Sequence, residues 1–86
     1  MNFTGDFFRM TRNMLHLSQQ EFADKLGIHR THLTRIETGH TPVSEKTETK
    51  FLYLMAEMEI NLFELVTTYD SFLRINNQKQ KRGNLE

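Results

Sequence analysis

The chain has no cysteine, no tryptophan, one proline and four glycines among its 86 residues, and its net charge is zero. Without cysteine there is neither a disulfide scaffold nor a thiolate zinc site. No apolar run approaches the roughly 20 residues that a membrane span needs. The opening Met1-Asn2-Phe3-Thr4-Gly5-Asp6 lacks the basic start and apolar stretch of a secretory signal. The chain therefore reads as soluble and cytoplasmic, with no membrane partner. Strand alternation and internal repeats are missing too. No Ser/His/Asp arrangement, phosphate-cradling glycine loop or carboxylate pair stands out, which predicts a non-enzyme.

What is present is one small core. Hydrophobic residues make up 37%, with seven Phe and five Met, and a second domain would need roughly 100 more residues. A core of that size gains from association with another chain. The charges are unevenly placed. Residues 1–42 hold five Arg and Lys against four acids, residues 43–70 two against six, and residues 71–86 four against one. The acids collect in the middle, while three of the four histidines, His29, His32 and His40, cluster within residues 29–40 just before it.

Helical periodicity dominates, giving an all-α fold of five helices. Thr4 is the expected cap of the first, with Asp6 in its first turn and a buried stripe of Phe7, Phe8, Thr11, Met14 and Leu15. Ser18-Gln19-Gln20-Glu21 is a capping box opening a second helix, Gln19 to Leu26, which Gly27 stops. A third runs from about Arg30 to Thr38 and stops at Gly39, with Leu33 and Ile36 inward. Ser44 begins a fourth, to about Met58, with Phe51, Leu54, Met55 and Met58 inward. Asn61 caps a fifth, which carries Leu62, Leu65, Val66, Tyr69, Phe72 and Leu73. Residues 1–76 are expected to form the domain and residues 77–86 a polar, disordered tail.

Two short helices joined by a three- to four-residue turn containing glycine form a helix-turn-helix unit. Ala23 is small enough for the third helix to cross the second closely, and Gly27 permits the left-handed turn. Ile28, Leu33 and Ile36 pin the third helix to the core. Its opposite face is left clear to enter a groove about 12 Å wide, the major groove of DNA.

The stretch Leu17-Ser18-Gln19-Gln20-Glu21-Phe22-Ala23-Asp24-Lys25-Leu26-Gly27-Ile28-His29-Arg30-Thr31-His32-Leu33-Thr34-Arg35-Ile36-Glu37-Thr38-Gly39 resembles the Cro/repressor-type (XRE) helix-turn-helix family. With the helix order, the resemblance covers roughly residues 6–66. It implies a five-helix, lambda-repressor-like bundle that binds double-stranded DNA, with His29 to Thr38 as the recognition segment. Arg30, Thr31 and Arg35 match positions that meet base edges, with Thr34 beside them; Thr31 can bond a base or touch a thymine methyl. Gln19, His29, His32, Thr38, His40 and Thr41 match positions near the DNA backbone, Gln19 also bracing the first side chain of the recognition helix. Arg12 and Glu37 match a structural salt bridge. Two residues depart from the pattern. His29 stands where Ser or Thr usually caps the third helix, and Glu59 replaces the usual Gly before the fifth.

His29 and His32 are three apart but lack a third ligand, so neither a metal nor a cofactor is expected. The apolar set on the fifth helix is wider than one small domain covers, which points to a homodimer through Leu62, Val66, Tyr69, Phe72 and Leu73. Such a dimer fits a repressor on a palindromic operator. Two other roles fit the same fold: a protein-interaction module, such as an antitoxin or anti-repressor, and the DNA-binding half of a larger regulator.

Overall fold

All five helices open on a side chain that accepts a hydrogen bond from the backbone of the first turn. The computed structural model describes the backbone of residues 3–85 and the side chains of residues 3–76. Its helices are α1 (Gly5–Met14), α2 (Gln19–Leu26), α3 (Arg30–Glu37), α4 (Glu45–Glu57) and α5 (Leu62–Leu85). Thr4 accepts from the Phe7 amide and Ser44 from that of Thr47. Ser18 and Glu21 close a reciprocal capping box. Asn61 Oδ1 accepts from the Glu64 amide at 3.0 Å. His29 caps α3 through Nδ1, 3.2 Å from the Thr31 amide. Each cap satisfies a donor that the helix cannot satisfy itself.

The first four helices also end alike. After α1, α2, α3 and α4, the residues in the left-handed region are His16, Gly27, Gly39 and Glu59. In each case the next residue's amide reaches back to a carbonyl of the last turn: Leu17 to Arg12, Ile28 to Ala23, His40 to Arg35 and Ile60 to Met55. This is the Schellman closure, for which glycine is the favoured residue. Two of the four ends use glycine and two use a residue with a Cβ. α5 meets no proline or glycine before Gly83, and its helical backbone continues beyond Asn76 to Leu85. The side chains of residues 77–86, expected as a disordered tail, lie outside the described residues.

The core centres on Phe51 of α4. Its ring stacks on Phe8 at 4.7 Å and also meets Phe3, Phe7 and Phe22. Ala23, Leu26, Leu33, Ile36, Leu54, Met55 and Leu65 complete the buried set. Phe3 joins the core from outside the helices, stacked on Phe7 at 4.8 Å. Two expected core residues are not there. Met14 is 49% exposed and Met58 37% exposed. Met14 closes α1 at the edge of a groove beside α5, and Met58 is the C-cap of α4, so each sits at a helix end that the core covers only in part.

Gly5 sets the distance between α1 and α3. A Cβ there would collide with the Ile36 carbonyl oxygen and come within 2.9 Å of the carbonyl carbon. The backbone of α1 therefore abuts the last turn of α3 directly.

Candidate nucleic-acid interface

α3 is held from beneath by a chain of polar contacts that begins on α1. Arg12 places Nε 2.8 Å from Glu37 Oε2 and Nη2 3.0 Å from Oε1, a two-pronged fork. Its remaining Nη1 donates to the Leu17 carbonyl at 3.1 Å. The Glu37 side chain is only 2% exposed, so its charge is compensated inside the fold. Gln19, the first residue of α2, adds a third donor: Nε2 reaches Glu37 Oε1 at 3.2 Å. Its carbonyl Oε1 accepts from Thr34 Oγ1, also at 3.2 Å. The Thr34 hydroxyl lies 3.0 Å from the Arg30 carbonyl as well. One network thus ties α1, α2 and α3 together, and among the described residues no buried side-chain polar atom lacks a partner.

The turn between α2 and α3 is fixed from two directions. Gly27, at φ 73°, makes the left-handed step. From α4, Lys50 Nζ donates to the Gly27 carbonyl at 3.1 Å. Sequence reasoning did not single out Lys50, because nothing local marks a lysine that will cross to a turn 23 positions earlier. The Glu21 carboxyl is held below its ordinary 4.5, first by the Ser18 amide and then by the Ser18 hydroxyl. The capping box thus favours the charged form at the positive end of α2.

The outer face of α3 differs from the inner. Arg30, Thr31 and Arg35 are exposed, and the side chains of all three make no hydrogen bond or salt bridge among the described residues. His32 and Thr34 are half-buried beside them. Thr38 Oγ1 donates to the Thr34 carbonyl at 2.9 Å and lies 2.8 Å from His40 Nδ1. Thr38 and His40 are exposed, and Thr41 is half-buried. The loop after α3 thus continues the polar surface of the helix. No group of three or more potential metal ligands occurs among the described residues.

On α5, Leu62, Val66 and Tyr69 pack against the chain's own core. Tyr69 meets Phe7 edge-on at 5.3 Å, and its hydroxyl lies 3.0 Å from Thr4 Oγ1. Phe72 and Leu73 stand apart from these, 47% and 39% exposed. They line an open groove of about 520 Å³ with Met10 and Met14 of α1. The five residues expected at a dimer interface therefore fall into an inner three and an outer two.

Two short helices with a glycine turn, the second locked to the core and presenting a free basic face, define a helix-turn-helix DNA-binding bundle. Residues 8–47 match the model of the helix-turn-helix family, from the first turn of α1 to the first turn of α4. Over that stretch the chain is an XRE-type helix-turn-helix, a DNA-binding module. No curated protein matches the chain, and no solved structure does. No helix among the described residues is long and apolar enough to cross a membrane.

Proposed function

We propose that the chain is a cytoplasmic repressor that binds a palindromic operator as a homodimer. The observation that carries this reading is the unpartnered trio Arg30, Thr31 and Arg35 on a helix whose inner side is tied to α1 and α2. Arginine forks onto guanine O6 and N7, a contact worth about 1–3 kcal/mol of discrimination. Arg30 and Arg35 take that role, with Thr31 and Thr34 as the neighbouring base readers. Gln19, His29, His32, Thr38, His40 and Thr41 flank them and meet the phosphates, fixing register. The exposed Phe72 and Leu73 support association through α5. A two-fold dimer places its recognition helices about 34 Å apart, one turn of DNA. Repression follows by occlusion of a promoter.

The test is selection of binding sites from a pool of random-sequence duplexes, followed by gel shifts across a salt series. A palindromic consensus is expected, with log affinity falling linearly against log salt. Arg30→Ala with Arg35→Ala should abolish the consensus while leaving the helical signal intact. Unchanged affinity in that double variant would remove the base-reading assignment. Light scattering of Phe72→Glu/Leu73→Glu tests the dimer, and a mass unchanged from a wild-type dimer would exclude the α5 interface.

A further inference from the structure

We propose that Thr34 reads DNA through its methyl group, as a contact selective for thymine. The inference rests on the reading of α3 as the helix that enters the groove. Its argument is one of donors and acceptors. Glu37 is a carboxylate and can only accept, so the Gln19 atom 3.2 Å from it must be the amide nitrogen. The Gln19 carbonyl is thereby turned to Thr34, and a carbonyl also only accepts. The single hydroxyl proton of Thr34 is thus held within the protein, shared between Gln19 Oε1 at 3.2 Å and the Arg30 carbonyl one turn back at 3.0 Å.

A threonine whose proton is committed in this way has no donor left for a base. Guanine offers two acceptors, N7 and O6, in the major groove, and Thr34 cannot satisfy either. The branch at Cβ places the methyl on another side from the hydroxyl, away from Gln19. Thr34 is half-buried and sits one turn from Arg30 and Thr31 on α3, so the part of it left exposed borders the reading face. Among the four bases only thymine presents a matching apolar group there, its C5 methyl. Gln19 is accordingly a positioning residue: it sets the polarity of Thr34 and does not itself read a base.

The experiment uses the full chain and the duplex it selects from a random pool. Each thymine of that duplex is replaced in turn by deoxyuridine, which removes only the methyl. One thymine per half-site should weaken wild-type binding on replacement by about fourfold, the transfer value of a single methyl group. Thr34→Ser keeps the inward hydroxyl and loses the methyl, so it should bind the thymine and deoxyuridine duplexes equally. Thr34→Val keeps a methyl on that side and should retain the wild-type sensitivity. The proposal is overturned if Thr34→Ser stays as sensitive to deoxyuridine as the wild type, or if Thr34→Val loses the sensitivity. A chain that selects no sequence at all overturns the DNA reading beneath it, which separates the two failures.

Discussion

Gly5 and Ile36 meet backbone to backbone, with no space between them for a single carbon. Alanine is the better helix former by about 1 kcal/mol, so Gly5→Ala on an open helix would stabilise. Here the methyl strikes a carbonyl that cannot rotate away. Overpacking of this kind costs typically about 1–3 kcal/mol, and net destabilisation is expected, read as a lower urea midpoint. Gly5→Val should be worse. An alanine variant as stable as the wild type would show that α1 and α3 can separate freely.

The Arg12–Glu37 fork predicts an asymmetric pair of variants. Arg12→Met leaves the Glu37 charge buried with Gln19 as its remaining described side-chain donor, and a loss of about 3–5 kcal/mol is expected. Adding Glu37→Leu removes the stranded charge and should recover most of that loss. Chemical denaturation of the two singles and the double measures the coupling directly. Simple additivity would mean that the fork carries no interaction energy.

The two non-glycine helix ends mark unused stability. Glu59 and His16 both hold φ 57°, a region that costs an L-residue about 1–2 kcal/mol. Glycine there relieves the strain and gives back part of it through a freer unfolded chain. Glu59→Gly and His16→Gly are each expected to raise stability by about 0.5–1 kcal/mol. The control is Gly27→Ala, whose site has open space for a Cβ but φ 73°, and which should destabilise.

The lowered Glu21 carboxyl predicts a pH signature. A depressed folded value means that its contribution is complete above the ordinary 4.5 and is lost as pH falls through the folded value. Thermal unfolding of wild type and Glu21→Gln should therefore differ most near neutrality and converge in acid below that range. A gap that widened on acidification would contradict the assignment of the carboxylate to the capping box.

What was legible in the sequence was the chemistry that acts over three or four residues. Thr4, Ser18, Ser44 and Asn61 as caps, and Gly27 and Gly39 as stops, are visible because a cap or a left-handed step is decided locally. What was not legible depends on where distant elements stop. Met14 and Met58 continue apolar stripes correctly, yet at the ends of their helices the core covers them only in part. Phe3 lies before the first helix and becomes core only because Phe7 and Phe51 converge on it. The spacing of Gln19 and Thr34 says nothing of their bond, which needs the crossing of α2 and α3, and Lys50 is hidden for the same reason.

The division of α3 into a fastened underside and an unfastened outer face bears on how such a chain changes its target. The Arg30, Thr31 and Arg35 side chains take no part in holding the helix, and substitutions at sites free of such roles usually shift stability by no more than about 0.5 kcal/mol. The alphabet at these positions can therefore be rewritten without endangering the scaffold. Under the proposed base-reading role of these three residues, duplicate copies can drift to separate DNA sites, and a designer can retarget the chain by randomising three codons.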